Sequence, residues 1–433
     1  TTGDIESQPF LEAIRQFRHE IGYQNSVLIH VTLVPYLKAS GELKTKPTQQ
    51  SVKALQGMGI SPDVIVCRTE VPLEDGIESK IALFCNVPED HVLQNLDVEY
   101  LYEAPLAMEK ERLAHVVCEC LNLPCPEPQL GDWKQMVDAL KNPTSEVTIA
   151  LVGKYIQLHD AYLSVMEALK HGGIANRTKV TIKWIDSEFL KPEALDDTFA
   201  GVDGIIIPGG FGSRGTEGMI LAANYARENK IPFLGICLGM QMAMVAFARN
   251  VLGYADANSS ELDPETTHPV VDLMPDQNGV ENLGGTLRLG SYPCVLDKKS
   301  KAYSLYGTDM INERHRHRFE INNDYRDDFT SHGMMLSGQS PDGHIVEMIE
   351  IPDHPFYVGI QAHPEFKSRP NHAHPLFAGF VESAEEQGVL RRAKKLLMKR
   401  NHLSEPEAHR YLQKTSMDTG RTMAESAHMV TML

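Results

Sequence analysis

With 433 residues, 42% hydrophobic and 23% charged, the chain has room for two or three globular domains, and its composition excludes a disordered or fibrous polymer. No run of about 18 apolar residues occurs, so no membrane-spanning helix is expected. The net charge of −17 argues against general nucleic-acid binding by the body, yet residues 388–433 hold nine Lys/Arg against four Asp/Glu.

Residues 26–36, Ser-Val-Leu-Ile-His-Val-Thr-Leu-Val-Pro-Tyr, form a β-branched apolar run, predicted to be a strand buried on both faces of a parallel sheet. A polar loop from Gly41 to Gln49 leads into a helix ending near Met58. Asp63–Arg68 reads as the next strand, Ile77–Phe84 as a helix and Val92–Leu96 as a short strand. Strands alternating with helices predict an α/β domain. Lys44, Thr45, Lys46 and Thr48 put two ammonium groups and two hydroxyls beside a strand end, which suits a polyphosphate. A solvated loop is the alternative from the residues alone. Residues 105–142 read as helical and polar, and the turn Lys141-Asn-Pro-Thr-Ser is the expected linker.

Val147–Val152 opens a second α/β segment, followed by a helix from about Asp160 to His171 and a strand at Val180–Ile185. Gly204-Ile-Ile-Ile-Pro-Gly209-Gly210-Phe211-Gly212 is a strand running into a glycine-rich turn. Such a turn exposes backbone N–H groups and suits an oxyanion hole or, more plainly, a tight turn. In Ile231-Pro-Phe-Leu-Gly-Ile-Cys237-Leu-Gly-Met-Gln241 an apolar run meets a thiol between Gly235 and Gly239. This reads as strand, sharp turn and helix, with the sulfur at the helix N-terminus, where the dipole favours thiolate. A buried Cys in a loop is the alternative.

Ile311-Asn-Glu-Arg-His-Arg-His-Arg318-Phe-Glu suits a nucleic-acid patch, a metal site or an alternating strand that carries one carboxylate-binding Arg. Two His at i, i+2 lack a Cys or carboxylate at metal spacing, which weighs against the second. Tyr357-Val-Gly-Ile-Gln-Ala-His363-Pro-Glu365-Phe ends a strand with a base and a carboxylate. A thiol needs both, and strand alternation is expected to put them on one face.

In the tail, Val389, Leu390, Ala393, Leu396 and Leu397 form one helical face. Ser404-Glu-Pro-Glu407 is a capping box, Gly420 a stop, and Thr422-Met-Ala-Glu425 a third cap. Three short helices with a basic first one suggest a mini-domain or, alternatively, an oligomerisation tail. The seven cysteines (67, 85, 118, 120, 125, 237 and 294) are scattered, which fits reduced thiols and a cytoplasmic setting. Cys118, Cys120 and Cys125 lack the second pair that a zinc site needs, and no other metal ligands are expected.

The motif Gly-Ile-Cys237-Leu-Gly-Met-Gln, taken with His363 and Glu365, resembles the Cys-His-Glu triad of class I glutamine amidotransferases. Gly3-Asp4-Ile-Glu6-Ser, Ser40-Gly-Glu-Leu-Lys-Thr-Lys-Pro-Thr-Gln49 and Lys80 resemble the amidoligase domain of CTP synthases. The stretch Arg392-Ala-Lys-Lys-Leu-Leu-Met398, with Leu403-Ser-Glu, Glu407-Ala408 and Ser416-Met-Asp418, resembles an ANTAR domain, an RNA-hairpin-binding module.

The resemblance implies an α/β chain with three parts: a partial Rossmann-like amidoligase domain (1–141), a class I glutamine amidotransferase α/β domain (146–384) and a small three-helix tail (388–433). It implies Cys237, His363 and Glu365 as the triad, with the N–H groups of Gly210 and Leu238 holding the oxyanion. Gly209, Phe211, Gln241, Glu261 and Arg318 would hold glutamine, and the family's Arg-His-Arg-His-Arg motif selects the alternating-strand reading of 311–320. Ser260 stands where the family usually has Thr. Asp4, Glu6, Lys44, Lys46, Gln49 and Lys80 would contact UTP or CTP, and Arg68, Asp97 and Val98 lie near ATP. Gly284-Gly-Thr-Leu-Arg-Leu-Gly290 resembles the family's mobile lid, near which GTP acts as an allosteric activator. A homo-oligomer, tetrameric in the family, is expected, as is RNA binding through the tail, with no membrane partner.

In the family a P-loop strand and a magnesium-binding carboxylate come before the segment that matches residue 1. No Gly-x-x-x-x-Gly-Lys-Ser/Thr occurs here, and Val152-Gly-Lys-Tyr155 lacks the first Gly and the hydroxyl. ATP and Mg2+, expected for the family, therefore lack their main ligands. A fragment, a partial or joined gene product, or a chain whose missing half comes from elsewhere is expected, one that hydrolyses glutamine while ATP-dependent amination of UTP to CTP is absent or crippled. The alternative function is a regulatory RNA-binding protein with a sensor-type body.

Overall fold

The structure, a computed structural model, describes residues 2–273 and 288–432. The chain forms two compact units, Thr1–Val137 and Asp138–Leu433, divided inside the helix Gly131–Lys141, just before the Asn142-Pro143 turn.

In the first unit the strands Ile29–Leu33, Val64–Thr69 and Val92–Leu96 pair in parallel in that order. The middle strand, Val-Ile-Val-Cys, is buried on both faces. Ile65 and Cys67 pack with Val52 and Ile81, while Val64 and Val66 pack with Leu93 and Val116. The first strand differs from expectation. Ile29, Val31 and Leu33 are 41%, 59% and 58% exposed, so it is buried on one face only. It lies at the sheet edge, and alternation sends these three side chains to the face of Val64 and Val66, outside the cluster those two form with Leu93 and Val116.

The second unit is built on a nine-stranded sheet. Thr178–Asp186, Ser145–Gly153, Gly204–Ile207, Phe233–Ile236 and Tyr357–Ile360 run parallel; Val346–Glu350, Met335–Gln339, Arg288–Leu296 and Met310–His317 continue it antiparallel. The three central strands are short, apolar and buried at every position, as parallel strands covered on both faces must be. Their C-terminal ends deliver Gly209-Gly210, Cys237 and His363 to one edge of the sheet, the usual ligand edge of such folds. The outer strand Met310–His317 alternates, burying Glu313, His315 and His317 and exposing Asn312, Arg314 and Arg316. The helix expected from residue 160 starts later, at Leu163–Ala175, after a 3-10 turn at His159–Tyr162.

The tail corrects one expectation. Its first helix is not a short separate one: Pro375–Asn401 is a single helix of 27 residues. Gly388 allows it to lie against the body, because a Cβ there would stand 2.5 Å from Asp203 Oδ1. One turn on, Arg391 donates to Asp203 Oδ1 at 2.6 Å and to the carbonyls of Gly201 and Val202. Helices Glu405–Thr419 and Met423–Met432 then pack on it through Val389, Ala393, Leu397, Ala408, Leu412 and Ala427. Ser404/Glu407 and Thr422/Glu425 make the expected caps, and Gly420 closes the second helix in the left-handed conformation. Among the described residues no helix is long and apolar enough to cross a membrane.

Candidate active site

Cys237 joins the strand Phe233–Ile236 to the helix Leu238–Phe247 with φ at 51°, a conformation that costs a non-glycine residue about 1–3 kcal/mol. Its neighbours make the turn possible. A Cβ on Gly235 would meet Gly239 backbone at 2.8 Å, and one on Gly239 would lie 2.0 Å from Ile207 O. Cys237 N donates to Ile360 O at 2.7 Å, tying the turn to the adjacent strand. Leu238 opens the helix, so its N–H has no intrahelical acceptor. The Gly209-Gly210 loop lies against these groups: a Cβ on Gly209 would be 2.8 Å from His363 Cε1 and 3.5 Å from Cys237 Cβ, and one on Gly210 would be 3.4 Å from Leu238 Cδ2.

His363 is held by its own N–H, which donates to Arg314 O at 2.7 Å, and by Nδ1, 2.8 Å from Glu365 Oε1. The route between these two differs from the expected strand alternation. The strand stops at Ile360, and Glu365 reaches the ring through the 3-10 turn Pro364–Lys367, because Pro364 has no N–H for a sheet ladder. Burial alone would depress the imidazole. Hydrogen bonds to Cys237 and Glu365, with their charges, outweigh it and raise His363 to about 10. The arrangement can therefore activate a thiol, hold an imidazolium beside it and fix the ring through Nδ1.

Two cavities meet at the sulfur. One, of about 90 Å³, is lined by Gly210, Phe211, Gln241, Glu261 and Arg318 with Cys237. The other, of about 320 Å³, brings Gly209, His363 and Glu365 to Cys237, with Arg316 at its wall. The first offers an Arg and a carboxylate to a zwitterion. Desolvation raises Glu261, while Arg318 and Lys154 pull it down. His315 and His317 turn inward to Glu347 at 2.6 Å and Glu320 at 2.7 Å, with Arg288 bridging both carboxylates. These histidines thus serve an ion network, and the described residues contain no group of three or more His, Cys, Asp or Glu that could hold a metal ion.

Two neighbours escaped the sequence reading. Lys154 is 3% exposed, and its Nζ donates to Phe211 O at 3.0 Å and Gly212 O at 2.6 Å, bracing the glycine loop. Burial, with Arg214 adding repulsion, lowers its ammonium to about 8. Gln361 is fully buried, and its Nε2 lies 3.6 Å from Cys237 Sγ. Its place two residues before His363 was the available signal.

In the first unit the candidates are exposed or half-buried. Asp4 and Glu6 are exposed beside and within the turn Ile5–Ser7. Lys44 pairs with Glu42, Lys46 opens the helix Lys46–Gly57, and Gln49 donates to Thr45 Oγ1 at 3.1 Å. Lys80 is exposed on the helix Ile77–Cys85. Arg68 meets Asp97 at 3.1 Å across two strand ends, with Val98 next in line. The lid segment falls partly outside the described residues, which resume at Arg288.

Three stretches of the chain match known families. Residues 1–123 match the family described as CTP synthase N-terminus, 157–383 that of class-I glutamine amidotransferases and 380–430 the ANTAR domain. The CTP synthase of Ruminiclostridium cellulolyticum is 60% identical over 386 residues, 89% of this chain and 72% of that protein. That of Clostridium beijerinckii is 58% identical over 387 residues, with the same coverage of each chain. A solved glutaminase domain of Trypanosoma brucei CTPS with bound acivicin matches with a TM-score of 0.52 at 38% identity, covering 55% of this chain and 93% of that one.

Proposed function

This chain belongs to the CTP synthase family of glutamine-hydrolysing amidotransferases, and we propose that Cys237 is its nucleophile, with His363 as base and acid and Glu365 orienting the imidazole. The observation that carries this reading is the meeting of Cys237 with His363–Glu365 on one side and with the Gln241–Glu261–Arg318 cavity on the other. Arg318 pairs the α-carboxylate of glutamine and Glu261 its ammonium, so the side-chain amide points to the sulfur. The thiolate attacks the amide carbon. The oxygen takes negative charge facing the N–H groups of Gly210 and Leu238, each worth about 3–4 kcal/mol to such a transition state. His363 gives its proton to the departing nitrogen, and ammonia leaves a glutamyl thioester. His363 then deprotonates water, which releases glutamate and restores the thiolate.

UTP, ATP and GTP are the further ligands we assign, with Lys44, Lys46, Gln49, Lys80, Asp4 and Glu6 toward the pyrimidine nucleotide and Arg68, Asp97 and Val98 toward ATP. The exposed Arg68–Asp97 pair suits a nucleotide in chemistry. The seven free thiols support a reducing cytoplasm as the setting. The ANTAR match favours an RNA role for the tail. Arg391 is committed to Asp203, so Arg392, Lys395, Lys399 and Arg400 are the cations left exposed on that helix. Salt-sensitive binding of an RNA hairpin by the full chain, lost on their joint substitution by Ala, is the expected result.

The test of the reading is ammonia release from glutamine by the full chain. Steady release, abolished in Cys237→Ala, is expected; undiminished release in that variant would refute the nucleophile.

A further inference from the structure

We propose that the side-chain amide of Gln361 is a further catalytic group, a neutral donor that holds and stabilises the Cys237 thiolate and is itself oriented by Gln241. The proposal rests on the assignment of Cys237 as nucleophile.

The orientation of the amide follows from a chain of obligatory partners. Phe319 O can only accept, and Gln241 Nε2 lies 3.0 Å from it, so the NH2 end of Gln241 must face that carbonyl. The same nitrogen lies 3.3 Å from Gln361 Oε1, which must then be the oxygen end. That leaves Gln361 Nε2 facing Cys237 Sγ at 3.6 Å. The backbone fixes the position as well, since Gln361 N donates to Glu347 O at 2.9 Å and the residue is 0% exposed.

Gln361 and His363 lie two residues apart, and both reach the sulfur. Their roles differ. His363 gives its proton to the leaving nitrogen and takes one back from water, so its charge changes within the cycle. Gln361 keeps its N–H throughout. It therefore acts in the two steps in which sulfur carries charge: formation of the thiolate and its expulsion when water attacks the thioester. Besides Cys237, the ionisable side chains lining the cavities at the sulfur are those of Tyr155, Asp160, Tyr162, Glu261, Arg316, His317, Arg318, His363 and Glu365, whereas Gln361 is neutral. Its contribution is accordingly a constant offset to thiol ionisation.

The experiment is the pH dependence of Cys237 alkylation by iodoacetamide in the full chain, with Cys237→Ala marking background, alongside glutamine turnover. Gln361→Glu keeps the shape and the acceptor toward Gln241 but places an acidic group at the sulfur; Gln361→Met keeps the bulk and removes the donor. Both are expected to move the alkylation midpoint up by about one unit or more and to lower kcat at least about tenfold, with KM less affected. Gln241→Met, which frees the amide to rotate, is expected to give a smaller upward shift by the same readout. Wild-type midpoints in Gln361→Glu and Gln361→Met, with Cys237 reactive and turning over, would overturn the proposal alone. A wild-type Cys237 that neither alkylates above background nor turns over would overturn the nucleophile assignment and this proposal with it.

Discussion

The strands Phe233–Ile236 and Ile29–Leu33 both lead toward candidate chemistry, and they are built in opposite ways. The first is buried at every residue, has parallel neighbours on both sides and ends in a strained Cys237 that two glycines make possible. The second is an edge strand with three exposed apolar side chains, and the lysines that follow it, Lys44 and Lys46, are at most half-buried. Covalent catalysis needs a sulfur placed within about half an ångström, and only a packed, over-determined turn supplies that. Phosphate binding by long cations works through flexible point charges and tolerates a solvated frame.

The contrast is tested most severely by adding a methyl group on each side. Gly239→Ala would drive a Cβ into Ile207 O, and a loss of at least about 3 kcal/mol in urea unfolding of the second unit is expected, with glutamine hydrolysis gone. Gly57→Ala, at the end of the helix Lys46–Gly57 with nothing within 4 Å, should stabilise the first unit by up to about 1 kcal/mol. Similar losses in both would erase the distinction.

A titration sharpens it next. The folded state raises His363 to about 10 from an ordinary 6.5, so it favours the imidazolium. That group's contribution to stability is full below about pH 6.5 and is lost as pH climbs to about 10. Cys237→Ala removes part of the cause: the His363 ring midpoint, read by NMR, should fall, and the decline of stability over that window should flatten. An unmoved midpoint would mean that the thiol does not act on the ring.

Smaller effects are expected at the paired surface charges. Arg391→Ala leaves the Asp203 carboxylate buried without its cation and should cost about 1–2 kcal/mol, since the guanidinium is itself half in water. Arg68→Ala, whose partner Asp97 is as exposed as itself, should change stability by no more than about 0.5 kcal/mol, leaving nucleotide affinity as the quantity that moves.

What could be read from the sequence follows the same division. The α/β class and the strand–turn–helix around Cys237 were legible because the spacing of Gly235 and Gly239 is a local steric requirement. The alternating strand at 311–318 was one of three readings the residues allowed, and the resemblance selected it. Residues whose roles depend on distant partners were not. Lys154 acquires its place from carbonyls 57 and 58 residues away, Gln361 from a sulfur 124 positions earlier, and Arg391 from Asp203. The one-sided burial of Ile29–Leu33 was missed because an apolar run records what can be buried, not whether a neighbour covers it. The single long helix Pro375–Asn401 was missed because Gly388 looks like a boundary until its contact with Asp203 is seen.

The most direct test is acid-quenched mass spectrometry of the full chain during turnover of glutamine. A glutamyl adduct on the peptide that carries Cys237, absent from Cys237→Ala together with ammonia release, is the predicted result. Ammonia release at full rate with no adduct on that sulfur would contradict the account.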